Sequence, residues 1–122
     1  MQYYLGKNKE AIRLFNSCLE YFKDTNSRAY LNTLHSLGLV YNKAGDYRKS
    51  LEMVQQGNAA AKALENHSMD AYFLHLRGLN EYFRENYASS MEHLKESISE
   101  IRNNKDHGNV AVANFYIGKS TL

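Results

Sequence analysis

Residues 34–57 read LHSLGLVYNKAGDYRKSLEMVQQG, and this stretch decides the fold. Leu31, Leu34, Leu37, Val40 and Tyr41 recur at steps of three and four, the spacing of a helix with one apolar stripe. Ala44-Gly45-Asp46 interrupts that stripe, and Tyr47, Leu51, Val54 and Ala61 carry a second one. Asp46 is placed to accept a hydrogen bond from the free backbone N–H groups that open the second helix. The stretch therefore predicts a helix, a tight turn and another helix.

The same pattern returns further along the chain. Gly38, Gly78 and Gly118 are spaced by 40 residues, and at that offset His35 matches His75, Leu34 matches Leu74 and Leu39 matches Leu79. Tyr47 matches Tyr87, Ser50 matches Ser90, and Leu51 matches Met91. An earlier half-unit sits at an offset of 39, where Gly6, Ala11, Ile12 and Phe15 correspond to Gly45, Ser50, Leu51 and Val54. A fixed period of this size marks stacked repeats. The register predicts helices near 8–23, 69–84, 87–102 and 108–121, with Asn86 a cap candidate, and no strands. It divides the chain into a partial repeat (1–25), two repeats (27–65 and 67–104) and the first helix of another (107–122). A glycine inside a helix costs up to about 1 kcal/mol relative to alanine, so Gly38, Gly78 and Gly118 are expected where helices approach too closely for a Cβ.

Composition is consistent with a single helical domain. Of 122 residues, 43% are hydrophobic and 23% charged, with a net charge of +2 and no proline. The even spread of charge gives no basic patch for nucleic acid. No apolar run approaches the roughly 18 residues of a membrane span, and the opening residues lack the plan of a secretory signal. The expected compartment is the cytoplasm, or the periplasm for a parent protein that carries an export signal or membrane segment. Cys18, the one cysteine, lies near Phe15, Leu19 and Phe22 and is expected to be buried.

These residues resemble the tetratricopeptide repeat, whose helix-turn-helix signature appears as Leu34-x-x-Leu37-Gly38-x-x-Tyr41, Gly45-Asp46-Tyr47 and Ser50-x-x-x-Val54-x-x-Gly57. The next unit departs from it with Arg77 and Glu81 in place of Leu and Tyr, and Phe73 and Tyr82 are placed to take over the apolar contacts. The family's repeat is usually 34 residues with a closing proline. Here the period is 40 and Lys62 stands at that place, which lengthens the helices. The resemblance implies an all-α fold of antiparallel helix pairs stacked as a right-handed α-solenoid. Long-helix members of this kind resemble repeat domains of bacterial regulatory proteins.

In such arrays the first helices line a concave face. The resemblance puts Asn32, His35, Leu39, Asn42 and Lys43 in one rung and Tyr72, His75, Leu79, Tyr82 and Phe83 in the next, with Val112, Phe115 and Lys119 continuing the surface. That mixture of aromatic, amide and imidazole groups suits a peptide or helix of a partner protein. Tyr41, Tyr47 and Tyr87 are expected to pack between helices. His35 and His75 alone make an incomplete metal site, so a structural or peptide-contact role is favoured and no metal or cofactor is expected. The chain has no Gly-x-Ser-x-Gly elbow and no His-Glu-x-x-His helix, which argues for a binding module over an enzyme. The alternatives are a structural segment, a peptide-responsive regulatory domain, or self-association through an end helix carrying Val110, Val112, Phe115 and Ile117.

Overall fold

In a computed structural model, residues 2–23, 28–103 and 107–120 are described. They form six helices: α1 (Gln2–Phe22), α2 (Arg28–Ala44), α3 (Tyr47–Ala63), α4 (Asp70–Phe83), α5 (Tyr87–Asn103) and α6 (His107–Ser120). No strand occurs among the described residues. The chain divides into two compact units, Met1–Met69 and Asp70–Leu122. The expected repeat boundaries at 25, 27 and 104, and the expected helix end at 121, lie outside the described residues.

The first unit is organised by the turn read from sequence. Gly45 has a φ of +83°, a left-handed conformation open to glycine without penalty. Its N–H donates to the Asn42 carbonyl at 3.1 Å, and the Asp46 N–H donates to the Tyr41 carbonyl at 2.9 Å. These two bonds satisfy carbonyls that the end of α2 would otherwise leave open. Asp46 then starts α3, its side chain accepting from the Lys49 N–H at 3.3 Å. Leu31, Leu34, Leu37 and Tyr41 of α2 and Met53, Val54 and Ala61 of α3 form the core of this unit.

On the other side of α2 lies α1. Ala11, Ile12, Phe15, Leu19 and Phe22 are its half-buried apolar residues. Cys18, expected inside, is exposed. At 3.6 residues per turn it lies about 40° from Phe22 and about 60° from Phe15, at the edge of the stripe and only about 40° from exposed Leu14. Leu14 and Tyr21 share the exposed side of α1.

The second unit packs α4 on α5, α5 on α6 and α4 on α6. Phe73, Leu76 and Leu79 of α4, Leu94 and Ile101 of α5, and Val110 and Ala113 of α6 are buried. A Cβ on Gly78 would lie 2.7 Å from both Cγ and Cδ2 of Leu94, so α4 and α5 meet where only glycine fits. The Ser90 hydroxyl donates to the Gly78 carbonyl at 2.7 Å beside this contact. Gly38 is also buried. Gly118 departs from the expected pattern: a Cβ there meets nothing within 4 Å among the described residues. It lies on α6, and no helix among the described residues covers that side as α5 covers Gly78.

The α3 and α4 ends reuse the turn geometry of Gly45 with other residues. Glu65 and Glu85 have φ values of 52° and 66°. Their N–H groups donate to Lys62 and Tyr82, and the following Asn66 and Asn86 N–H groups donate to Ala61 and Glu81. Lys62 lies inside α3, in the place of the family's closing proline.

Candidate partner-binding surface

The expected contact residues fall into several environments. In the first unit Asn32 and Lys43 are exposed, His35 and Leu39 are half-buried, and Asn42 is buried. In the second unit Tyr72 is half-buried against Ala71, Ile101 and Val110, and Leu79 is buried. His75 is 1% exposed. Burial withdraws Asn42, His75 and Leu79 from any surface a partner reaches directly. All three lie on α2 or α4, on a stripe wide enough that its centre goes inward. Among the described residues no group of three or more His, Cys, Asp or Glu side chains is arranged to hold a metal ion.

The residues that do gather at a surface are aromatic. Tyr82 and Phe83 close α4, Tyr87 opens α5 after a short turn, and Tyr116 reaches them from α6. The Tyr82 ring lies 4.7 Å from Tyr116, 5.5 Å from Phe83 and 5.5 Å from Tyr87, all in edge-to-face arrangements. Phe83 and Tyr116 are 5.6 Å apart. Each such pair contributes about 0.5–1.5 kcal/mol beyond area burial, so the rings hold one another in place. None is fully covered: Tyr82, Phe83 and Tyr116 are half-buried and Tyr87 is 42% exposed. Tyr87 therefore combines the packing role expected of it with an open face. Phe115 edges onto Tyr116 at 5.2 Å, and the Lys119 ammonium stands 5.1 Å from the Phe115 ring centroid.

Beside this cluster, Glu81 and His93 pair through Oε1 and Nδ1 across the α4–α5 hairpin. Their side chains are 12% and 21% exposed. Register explains the departure at Glu81. Glu81 and His93 correspond, 40 residues back, to Tyr41 and Met53, both buried and apolar. The second unit replaces that pair with a carboxylate and an imidazole that satisfy each other. Tyr116 and the Glu81–His93 pair were absent from the sequence expectations. The 40-residue register carried the signal for the pair, because both ends change character together.

Residues 1–63 match the family model described as tetratricopeptide repeat. The chain belongs to the tetratricopeptide repeat family. Searches of curated proteins and of solved structures gave no match. Tetratricopeptide repeats generally mediate protein–protein interaction, and the all-helical hairpins here have that architecture. No helix among the described residues is long and apolar enough to cross a membrane.

Proposed function

We propose that this tetratricopeptide-repeat chain is a non-catalytic protein-binding module that takes an apolar-anchored peptide segment of a partner on the Tyr82–Phe83–Tyr87–Tyr116 surface. The observation that carries this reading is four mutually braced rings from three helices, all partly open to solvent. Tyrosine is enriched where proteins meet because it offers a large rigid contact with a polar tip. Holding the rings before the partner arrives lowers the ordering cost of binding. Asn32, His35, Leu39 and Lys43 in the first unit remain candidates for further contacts, as do Tyr72, Phe115 and Lys119 in the second. The long repeat supports a place for the chain in a larger regulatory protein, with this segment as its interaction part.

Peptides selected from a random display library against the intact chain supply the test. Their affinity is then measured for Tyr82→Ala and Tyr116→Ala, with Arg102→Ala, exposed on α5, as a control. A loss of tenfold or more in the two tyrosine variants, about 1.4 kcal/mol, is expected, with the control unchanged. Equal affinity for all four proteins would remove this surface from the function.

A further inference from the structure

The three tyrosines of the aromatic cluster carry hydroxyls that the fold does not use. Tyr82 meets Tyr87 and Tyr116 through ring edges at 5.5 and 4.7 Å. None of the three hydroxyls has a hydrogen-bond partner among the described residues. The packing needs the rings, and the hydroxyls are left for solvent or for a partner.

A partner that covers these rings must bring hydrogen-bond acceptors, because a phenol hydroxyl taken from water without a new acceptor is unfavourable. That requirement sorts the peptide conformations. A helical segment engages its backbone carbonyls with its own N–H groups and presents free ones only at its C-terminal turn. A β-strand engages them with a neighbouring strand, and no strand occurs among the described residues. A polyproline II segment makes no internal hydrogen bonds and keeps its carbonyls open. Its turn of three residues rises about 9 Å, enough to span neighbouring rings of the cluster. Proline also fixes that conformation in advance and packs on aromatic faces, which lowers the ordering cost of binding. Charge agrees with this choice. The exposed charges on the turn between Phe83 and Tyr87 are Arg84 and Glu85, of opposite sign, so the surface suits an uncharged segment better than an acidic or a basic one.

We infer that the partner surface takes a proline-rich segment in the polyproline II conformation. Its proline rings lie on Tyr82, Phe83, Tyr87 and Tyr116, and its carbonyls accept from the three phenol hydroxyls. The inference rests on that surface being the binding site, as proposed above. The 122 residues contain no proline, so the segment comes from outside them.

Titration calorimetry on the intact chain tests the conformation, with synthetic decaproline as one probe and an amphipathic helical peptide of leucine, alanine and lysine as the other. Tyr82→Phe, Tyr87→Phe and Tyr116→Phe test the hydroxyls, since each keeps its ring and removes only the donor. Their urea midpoints are expected to match the parent chain. Decaproline is expected to bind more tightly than the helical peptide, and each variant to bind decaproline about fivefold more weakly, the size of one lost hydrogen bond. No binding of decaproline, tighter binding of the helical peptide, or parental affinity for decaproline in all three variants overturns the inference. The display-selected peptides separate it from the surface itself. Selected peptides that lack proline yet depend on Tyr82 and Tyr116 overturn the polyproline reading and leave the surface standing. Peptides indifferent to both tyrosines remove the surface and this inference together.

Discussion

Gly78 and Gly118 occupy the same place in the repeat and make opposite demands. Alanine at Gly78 would drive its Cβ into Leu94, whose backbone N is also only 3.3 Å away, so side-chain movement cannot fully relieve the clash. Gly78→Ala is expected to destabilise by about 1–3 kcal/mol, the usual cost of overpacking, read as a lower midpoint in urea unfolding. Gly118→Ala meets open space inside a helix and is expected to stabilise by up to about 1 kcal/mol. A similar contrast holds for two buried serines. The Ser90 hydroxyl reaches the Gly78 carbonyl, whereas the Ser50 hydroxyl has no hydrogen-bond partner among the described residues. Ser90→Ala should cost about 1 kcal/mol and Ser50→Ala close to nothing, because a lost bond costs more than a buried hydroxyl that makes none. Equal effects of the two alanines in thermal melts would refute that difference. Sequence alone made these pairs look equivalent, since the register is blind to what stands opposite each residue.

At the scale of elements, the helices and their ends were legible for distinct reasons. The Leu34–Leu37–Tyr41 stripe and the Gly45-Asp46 turn carry their own physics, a 3.6-residue period and a glycine with positive φ. The ends of α3 and α4 carried no such mark, because Glu65 and Glu85 adopt the left-handed conformation without glycine's freedom. That conformation costs an ordinary residue roughly 1 kcal/mol, so Glu65→Gly and Glu85→Gly should each raise the unfolding midpoint modestly. No change or a fall would show that the glutamates make compensating contacts. The Glu81–His93 pair acts between elements, tying α4 to α5 where the first unit uses Tyr41 and Met53. Removing one partner should cost about 1.5–3 kcal/mol, the range for a hydrogen bond to a charged group. Glu81→Tyr combined with His93→Met installs the apolar pair and should recover most of the loss seen in Glu81→Tyr alone. A double variant no better than the single would contradict their equivalence.

Over the whole molecule, the family and the all-helical hairpins were readable from a 40-residue period, while the surface was readable only in part. Tyr82 and Phe83 stood out as aromatic residues at the end of a first helix, and the structure places them among Tyr87 and Tyr116. His75 and Asn42 were equally prominent in the register but are buried, since helical spacing gives direction around an axis and says nothing of depth. Cys18 went the other way, at the edge of its stripe and out to solvent. What distinguishes the candidate surface is the meeting of three helices, a tertiary fact that no single stripe contains. The most direct measurement is a backbone amide NMR titration of the intact chain with a display-selected peptide. Shifts concentrated at Tyr82, Phe83, Tyr87 and Tyr116 are the expected result. Shifts confined to residues away from those four would contradict the account.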